Sequence, residues 1–596
     1  MFHTEEDMKA GHLKTFFLPG ENTRMVIVAS LIGVIAGVAN ICFRTVLEFV
    51  HHTIFVPGYA IVSQGGWYTL LLPLIPISGM VLLIPLAILF PGEIYGYGFT
   101  KFLRKVNIRG GSMKFRKNIL KIISCSLTIG TGNSAGVEGP IAQVGGALGS
   151  AIGKIFKVSG NRTKVYTAAG CAGGVAAMFN APIAGVFFAA EIVLLGTYEI
   201  SSFSVLVVSS AMATVVSRSY YGEIPAFPIP EFHLVNPLAE IPLYMIMGVL
   251  MGLGAVLHIY VFYEVRDRFE ALNISQHVKP IIGAFIIGCT AIFFPQIMGD
   301  GYHYIKDVLA GHGVIWVMAI LIFLKIFATA VTLGSGGSGG VFAPALFIGS
   351  VIGGAYGSIV HNLFPSVTAS SGAYAAVGLG AFLAATTHAP ITAIFLLFEM
   401  TGDHLIIIPI MLTSIIGTAV ASKLNADSID TVDLTREGID IHEGREIAIM
   451  KSIKVGKVIT EEVDFISEKA NVNHLLEIFQ MAKDSFYFPV IDDTGHMVGI
   501  ISLQDVKGIL HDKELRLSAT VGDICTRNVL TLTPDDNIYT AMTYFDVRGI
   551  AEIPVVESPE DQWVVGMLKR RDVIDAYNRE VLKKGISERS ASIKLT

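Results

Sequence analysis

The chain has 596 residues, of which 52% are hydrophobic and only 15% are charged, and its mean hydropathy is +0.61. This composition excludes an ordinary soluble globular protein. The formal net charge of −6 offers no basic surface for nucleic acid, so nucleic acid is not an expected partner. The five cysteines lie far apart without the spacing of a disulfide framework or a metal site, which favours a packing role and predicts no bound metal.

Residues 1–24 are polar and lack the apolar core of a cleaved signal peptide, so we expect a cytoplasmic N-terminal segment there. From residue 25 to residue 424 the chain contains apolar runs long enough to cross a bilayer, among them 70–89, 243–261 and 314–333. These runs predict a polytopic α-helical membrane domain over 25–424, with halves at roughly 25–220 and 235–424.

One loop between the apolar runs is strongly basic. It contains seven cations and no acidic residue, namely Lys101, Arg104, Lys105, Arg109, Lys114, Arg116 and Lys117. Positive loops stay in the cytoplasm, and a soluble C-terminal region is most simply cytoplasmic as well. We therefore expect an integral membrane protein of a prokaryotic inner or plasma membrane, with its N-terminus and C-terminal domain in the cytoplasm.

Two related strings interrupt the apolar runs. Gly-Val-Glu-Gly-Pro at 136–140 returns as Gly-Val-Phe-Ala-Pro at 340–344 with an offset of 204, and the glycines at 145, 149 and 153 then match those at 349, 353 and 357. A second block, Asn-Ala-Pro-Ile at 180–183 through Glu191, matches His-Ala-Pro-Ile at 388–391 through Glu399 with an offset of 208. The membrane domain is therefore predicted to consist of two related halves whose interrupted helices meet at one place.

Helix starts at membrane depth indicate a site, because non-helical backbone there must line a cavity or be buried in protein. We predict helices that begin at Pro140 and Pro344, with proline at the first helical position. Their free N–H groups and positive dipole ends favour an anion. The glycines at 145, 149 and 153 are interpreted instead as positions of close helix packing.

Glu138 is the only acidic residue of the first string, and its counterpart in the second string is Phe342. An ionisable residue at a helix break in a membrane is a functional candidate. An ionised carboxylate competes with an anion for the same donors, whereas a protonated carboxyl group leaves them. Glu138 is therefore predicted to gate an anion pathway.

These strings resemble those of the chloride channel and chloride/proton exchanger family, called CLC, over about residues 25–580. The resemblance implies an inverted-repeat membrane fold and a homodimer in the lipid bilayer, with one anion pathway in each subunit and Glu138 as the gating glutamate. It also implies that chloride or a similar monovalent anion is bound at the helix starts, by Tyr97, Gly98, Val137, Gly139, Val341, Phe342 and Ala343.

Three positions depart from the family pattern. Tyr97 replaces a serine that contacts the anion, Ile192 replaces the inner glutamate of exchangers, and Asp430 replaces a central tyrosine. Tyr97 is interpreted as a phenol donor that keeps a hydroxyl on the anion. For Asp430 we favour a helix-end or linker contact that points away from the pathway, and an inner proton acceptor is the alternative.

Three further residues belong to the second repeated block. Glu399 is interpreted as structural, capping or bonding to neighbouring backbone, whereas the role of Glu191 stays open. His388, in the place of Asn180, is interpreted as a packing residue rather than a ligand.

The region after residue 424 is rich in charge. Residues 425–450 are expected to form a short acidic linker and 581–596 a tail, while 451–580 contain a repeat whose segments return at offsets of 65 to 67. The repeat alternates short β-rich runs with amphipathic helices and is similar to a tandem pair of CBS domains, at about 451–512 and 519–580. Many such pairs bind adenine nucleotides such as ATP, here through Ser502 and Asp505 in the first copy and Lys569 and Asp572 in the second. A dimerisation module with an empty cleft is the alternative.

The sequence thus predicts chloride transport gated by Glu138 and modulated by the CBS pair, with no cofactor required. The loss of an inner glutamate at Ile192 and of the central tyrosine favours a channel or a weakly proton-coupled conductor. The alternative is a chloride/proton exchanger with a non-standard proton route. A CBS-regulated cation transporter is disfavoured because the spans contain few carboxylates, and an enzyme is disfavoured because we find no paired nucleophile and base.

Overall fold

A computed structural model describes residues 21–593, except 93, 109, 114, 159, 197–199, 224–234, 438–443, 482–485 and 508–517. The chain divides into two compact units, residues 1–439 and 440–596, and each is described by itself. Most of the predicted N-terminal segment, parts of the predicted linker and tail, and Arg109 and Lys114 of the basic loop lie outside the described residues.

The first half of the membrane unit is helical. In chain order its described α-helices are α1 (Glu21–Val50), α2 (Val56–Val62), α3 (Leu74–Leu89), α4 (Phe99–Ile108), α5 (Phe115–Gly130), α6 (Glu138–Ile155), α7 (Gly160–Phe179), α8 (Pro182–Phe187) and α9 (Ile200–Tyr221). A π-helical segment, His51–Phe55, joins α1 to α2, and another, Phe188–Val193, extends α8. A short 3-10 helix, Gly66–Leu71, precedes α3.

The second half repeats this pattern. Its described α-helices are α10 (Pro237–Ala271), α11 (Lys279–Ala291), α12 (Tyr302–Leu309), α13 (Ile315–Ser335), α14 (Phe342–Leu363), α15 (Ser371–Thr387), α16 (Pro390–Thr401), α17 (Ile407–Leu424) and α18 (Val432–Arg436), with a 3-10 turn at Pro295–Ile297. Within the described residues, 7 helical segments are long and apolar enough to cross a membrane. The predicted polytopic membrane fold is confirmed.

Glycines let equivalent helices of the two halves pack in the same way. α6 packs on α7, and α14 packs on α15. A Cβ atom added to Gly145 would lie 2.1 Å from the carbonyl oxygen of Gly170, and one added to Gly349 would lie 2.3 Å from that of Gly378. Because the opposing atom is backbone, any larger residue would separate the helices. The predicted packing role of Gly145 is confirmed.

Reciprocal hydrogen bonds join the two helix breaks. Gly136 and Gly340 exchange both backbone N–H···O bonds, at 2.8 and 2.7 Å. Two further bonds are images of each other under the offset of 204: Ser134 N–H to Thr332 Oγ1 at 3.2 Å, and Ser338 N–H to Thr128 Oγ1 at 3.1 Å. Each half therefore satisfies non-helical backbone of the other, as burial at membrane depth requires. The interrupted helices meet as predicted.

The helices at the two breaks begin earlier than the prolines suggest. α6 begins at Glu138 and α14 begins at Phe342, so Pro140 and Pro344 are the third helical residues rather than the first. The prediction was wrong by two residues because every N–H group of the first turn lacks an intrahelical acceptor, which makes proline tolerable throughout that turn. As a result Glu138 itself lies in the first turn of α6.

The second unit contains two copies of one α/β motif. The first copy contains β1 (Ile466–Ser467), α20 (Val472–Met481), β2 (Tyr487–Ile491), β3 (Met497–Ser502) and α21 (Leu503–Lys507), after α19 (Gly444–Lys451) and a 3-10 turn at Val455–Lys457. The second contains α22 (Val521–Ile524), α23 (Ile538–Arg548), β4 (Glu552–Val556), β5 (Val564–Lys569) and α24 (Arg570–Ile593).

Strand pairing repeats between the copies of the second unit. β2 pairs antiparallel with β3, as β4 does with β5, and β1 lies parallel to β2. Leu532 bridges Val555 in parallel, just as Ile466 pairs with Val490 in the first copy. There are two apolar cores, one for each copy, and each also includes a residue from outside that copy: Val521 of α22 packs in the core of the first copy, and Val455 packs in the core of the second. The sequence repeat therefore corresponds to a structural repeat.

Candidate functional site at the meeting point of the broken helices

The carboxylate of Glu138 lies where the two broken helices meet, and its side chain is fully buried. Its Oε2 atom accepts a hydrogen bond from the backbone N–H of Ala343 at 3.3 Å, in the first turn of α14. Its Oε1 atom accepts one from the Tyr302 hydroxyl at 2.8 Å. A Cβ atom on Gly136 would lie 2.2 Å from Oε2, so a larger residue there would displace the carboxylate from this position. Glu138 thus occupies donors at a helix N-terminus that favour an anion.

The residues predicted to bind an anion through their backbone surround this carboxylate. Val137 and Val341 are the N-cap residues of α6 and α14, and both are buried. Phe342 and Ala343 open α14 and are buried as well. Gly139 lies against the opposite break, since a Cβ atom there would be 3.4 Å from the Cα atom of Gly340. The sequence-predicted set is therefore brought together around Glu138.

The loop before α12 holds Tyr302 in position. Lys325, which is fully buried in α13, donates hydrogen bonds to the carbonyl oxygens of Ile297 and Gly299, both at 2.9 Å. Its ammonium group also lies 4.9 Å from the ring centre of Phe347, within cation–π range. Because this loop leads directly into α12, Lys325 fixes the segment from which the Tyr302 hydroxyl reaches Glu138.

Gly98 lies between the gate helix and the second break. A Cβ atom on Gly98 would lie 3.1 Å from Oε1 of Gln143, a residue of α6, and 3.3 Å from Nζ of Lys121. The Lys121 ammonium is buried and lies 3.4 Å from the hydroxyl of Ser338, which precedes α14. A cation therefore faces the region where the helix starts converge, in addition to their dipoles.

Asp430 is buried and accepts a hydrogen bond from the hydroxyl of Tyr97. The favoured interpretation of Asp430 as a helix-end or linker contact is therefore wrong. The physical reason lies in its neighbour: Ile429 donates to the carbonyl oxygen of Thr386 at 3.1 Å and accepts from the Tyr263 hydroxyl at 2.7 Å. These bonds hold the backbone against α10 and α15, so the adjacent side chain lies in the interior. The proton of the Tyr97 hydroxyl is directed to Asp430.

Glu191 and Glu399 each cap a helix of the opposite half. Glu399 accepts the backbone N–H groups of Ile183 and Ala184, at 2.9 and 2.8 Å, at the start of α8. Glu191 accepts those of Ile391 and Thr392, at 3.2 and 2.7 Å, at the start of α16. The structural interpretation of Glu399 is confirmed, and Glu191 makes the equivalent contacts.

Two other predicted positions lie beside these caps. Ile192 is buried in the π-helical extension of α8, where it supplies no titratable group. His388 and Asn180 both have positive φ, at 55° and 57°, after equivalent helices. Asparagine and histidine are among the residues that tolerate this conformation best.

The nucleotide-binding residues predicted in the second unit lie at equivalent strand ends. In the first copy, Oδ2 of Asp505 accepts both the backbone N–H and the hydroxyl of Ser502, each at 2.7 Å. In the second copy Lys569 ends β5 opposite Glu552 of β4, and Asp572 lies in the first turn of α24. Burial raises the pKa of Glu552, and the nearby Lys569 ammonium partly opposes this shift. The two copies therefore differ in charge at this position.

Sequence reasoning missed Tyr302, Lys121 and Lys325. A lysine within an otherwise apolar helix is a signal that could have identified Lys325, since intramembrane charges are costly and tend to be functional. Lys121 follows Arg116 and Lys117 in the same helix, so in the sequence it resembles a continuation of the basic loop. Tyr302 carries no comparable signal, because its contact with Glu138 spans 164 residues.

Comparisons with known proteins agree with this geometry. Residues 79–422 match the family model described as voltage gated chloride channel, and residues 455–512 and 521–579 match that of the CBS domain. The H(+)/Cl(−) exchange transporter ClcA of Vibrio campbellii is 31% identical over 68% of this chain and 88% of its own length. The chloride channel protein CLC-f of Arabidopsis thaliana is 27% identical over 92% of this chain and 79% of its own length.

A solved structure is similar over most of the chain. The crystal structure of a slow cyanobacterial Cl−/H+ antiporter has a TM-score of 0.64 and 27% identity, and the match covers 70% of this chain and 98% of the antiporter. The family match and the apolar helices together identify an integral, multi-pass membrane protein. The chain belongs to the voltage-gated chloride channel family, CLC, and carries two C-terminal CBS domains.

Proposed function

We propose that this protein transports chloride or a similar monovalent anion across a membrane, along a pathway that Glu138 closes. The observation that carries the proposal is the bond between Glu138 and the Ala343 amide. The carboxylate uses a donor of the helix N-terminus at which an anion is stabilised, so carboxylate and anion compete for one position.

Protonation of Glu138 is the opening step in this proposal. A neutral carboxyl group gains less from the amide and from the dipole of α14 than a carboxylate does, so an anion displaces it. The backbone at Val137, Gly139, Val341, Phe342 and Ala343 then binds the anion. Gly98, which lies next to Gln143 of α6 and the Lys121 ammonium, is proposed to contact the same anion.

The test of the gate is Glu138→Gln in proteoliposomes. The amide resembles a permanently protonated carboxyl group, so chloride efflux should lose its dependence on external pH while remaining fast. Efflux that keeps the wild-type pH response in this variant would refute the assigned role of Glu138.

For the mode of transport we propose conduction that is channel-like or weakly coupled to protons. The support is Ile192, an apolar side chain at the position where exchangers of the family carry an inner glutamate. Simultaneous recording of chloride efflux and proton movement from proteoliposomes tests this: efflux without a fixed proton stoichiometry is expected.

Stoichiometric chloride/proton exchange is the second candidate. The buried carboxyl group of Asp430, bonded to Tyr97, supports it, as does the exchanger activity named for the Vibrio relative. A constant ratio of protons to chloride over a range of gradients would favour exchange over the channel-like mode.

We further propose a homodimer with the basic loop, the N-terminus and the CBS pair in the cytoplasm. The CBS pair is proposed to bind an adenine nucleotide and to modulate transport, with Asp505 and Asp572 at equivalent positions for ribose contacts. Addition of ATP to the CBS side of reconstituted protein should change the efflux rate. The double substitution Asp505→Ala and Asp572→Ala should abolish that change and leave basal efflux intact.

A further inference from the structure

Tyr97 and Asp430 form a pair that is fixed from both sides. The Tyr97 hydroxyl donates to Oδ1 of Asp430, while Oδ2 is buried and has no hydrogen-bond partner among the described residues. The backbone N–H of Asp430 bonds to the Ser428 hydroxyl at 3.3 Å. On the other side the Tyr97 ring packs against Phe262, with ring centres 5.8 Å apart. The free carboxyl oxygen is therefore held in place.

The pair adjoins the meeting point of the broken helices. Gly98, the next residue after Tyr97, abuts α6 at Gln143 and the Lys121 ammonium. A chain of ring contacts also connects Tyr97 to the start of α14: Tyr97 to Phe99 at 6.5 Å, Phe99 to Phe188 at 5.9 Å, and Phe188 to Phe342 at 5.5 Å. The pair is therefore linked by side-chain contacts to the helix starts at which the anion is proposed to bind.

The number of polar hydrogens determines whether the pair can donate a hydrogen bond to an anion. A tyrosine hydroxyl has one hydrogen, and an ionised carboxylate only accepts. When Asp430 is ionised, the single hydrogen of the pair is used between its two members, and neither member has a hydrogen left to donate to an anion. When Asp430 is protonated, the pair has two hydrogens, and one of them is free to donate to an anion.

Several charged groups on the elements packed around the pair are engaged elsewhere. On α4, α10, α18 and the chain before α18, Arg266 pairs with Asp433 at 2.7 Å, Arg436 with Asp267 at 2.8 Å and Arg104 with Glu437 at 2.8 Å, the Tyr263 hydroxyl donates to Ile429, and Asp427 accepts from Thr435 at 2.6 Å. His258 of α10 is different: it is fully buried, its ring centre lies 6.5 Å from that of Phe262, and neither of its ring nitrogens has a hydrogen-bond partner among the described residues. Among the described residues, Tyr97 is the hydrogen-bond donor to the Asp430 carboxyl group. Protonation of Asp430 therefore controls the charge of the Tyr97–Asp430 pair.

We propose that the Tyr97–Asp430 pair binds one proton together with one monovalent anion, so that anion binding at this position is coupled to protonation of Asp430. This proposal rests on the proposed anion pathway and adds to it a second carboxyl group, whose protonation has the opposite effect on the anion. At Glu138 protonation removes a competitor of the anion, whereas at Asp430 protonation supplies a ligand for it. By linkage, the anion in turn favours protonation of the pair.

Purified Glu138→Gln protein in detergent isolates this second site, because its gate no longer titrates. Addition of chloride to a weakly buffered sample should cause uptake of about one proton per chloride bound, and chloride affinity should fall by up to about tenfold per pH unit as the pH rises. Adding Asp430→Asn should abolish proton uptake and make chloride affinity independent of pH, since an amide N–H donates at every pH.

Asp427→Asn in the same Glu138→Gln protein is the matched control, because Asp427 bonds to Thr431 and Thr435 rather than to Tyr97. It should keep the proton uptake. Chloride binding without proton uptake in Glu138→Gln, or uptake that survives Asp430→Asn, would overturn the coupling but leave the anion pathway standing. Absence of chloride binding at every pH would overturn both.

Discussion

The hydroxyl of Tyr302 offers a direct test of how the gate is held closed. Of the two bonds to the Glu138 carboxylate, the one from Tyr302 is shorter, at 2.8 Å against 3.3 Å for the Ala343 amide. Tyr302→Phe removes this donor and keeps the ring. A hydrogen bond to a charged group contributes about 1.5–3 kcal/mol, and every 1.4 kcal/mol corresponds to a factor of about ten in an equilibrium constant. The substitution should therefore shift the gate towards the open form by about 10- to 100-fold.

The assay is chloride efflux from proteoliposomes as a function of external pH. At alkaline pH, where wild-type Glu138 stays ionised and bound, Tyr302→Phe should increase efflux, and half-maximal efflux should occur at a higher pH. At strongly acidic pH the two proteins should converge, because a protonated Glu138 has already left its donors.

Tyr304→Phe is the matched control. It removes the same hydroxyl group from the same helix, α12, but the Tyr304 ring packs on Phe347 at 5.7 Å rather than reaching Glu138. Its efflux curve should match the wild type. If Tyr302→Phe also leaves both the alkaline rate and the pH of half-maximal efflux unchanged, the hydroxyl does not hold the gate.

Three other predictions concern Lys325, the two capping glutamates and Glu552. Lys325→Met removes the side-chain donor to the carbonyl oxygens of Ile297 and Gly299. It should therefore raise alkaline efflux, as Tyr302→Phe does, and add little in the double variant. Glu191→Gln and Glu399→Gln should each lower stability by about 1 kcal/mol, measured by thermal unfolding in detergent; a change of transport in only one would contradict their equivalence. Because burial raises the pKa of Glu552, the wild type should lose stability as the pH rises above about 4.3. Glu552→Gln should remove this dependence, measured by amide hydrogen exchange of β4.

The sequence predicts those parts of the fold that are recorded in local patterns. The offset of 204 identifies Gly136 and Gly340 as equivalents, and the structure joins them by two hydrogen bonds. Local sequence patterns do not predict which donor and acceptor form a hydrogen bond when the two residues are far apart in the chain. Tyr97 and Asp430 are 333 residues apart, and their bond depends on how Ile429 is held by α10 and α15 rather than on any property of the two residues alone.

The helix boundaries illustrate a different limit. From Pro140 and Pro344 we predict the first helical position. Proline is tolerated throughout the first turn of a helix, however, because the N–H groups of that turn have no intrahelical acceptor. The resulting shift of two residues matters for function. It puts Glu138 inside the first turn of α6, where the chain direction carries its carboxylate across to the amide of Ala343.

The symmetry of the scaffold explains where the functional differences between the halves are found. Gly136 and Gly340 exchange two backbone hydrogen bonds, and Thr128 and Thr332 each accept one from a backbone N–H of the opposite break. The backbone of each break therefore depends on the other half. Glu138 and Phe342 are equivalent by the same offset but make no bond that requires symmetry. Glu138 accepts a hydrogen bond from the Ala343 amide in the other half, whereas Phe342 packs on Phe188. The chemistry of transport is therefore free to vary at side chains that face the meeting point, while the backbone that supports them is constrained. We expect Tyr97 and Asp430 to be side chains of this unconstrained kind, so the proposed effect of the pair on proton coupling requires no change of fold.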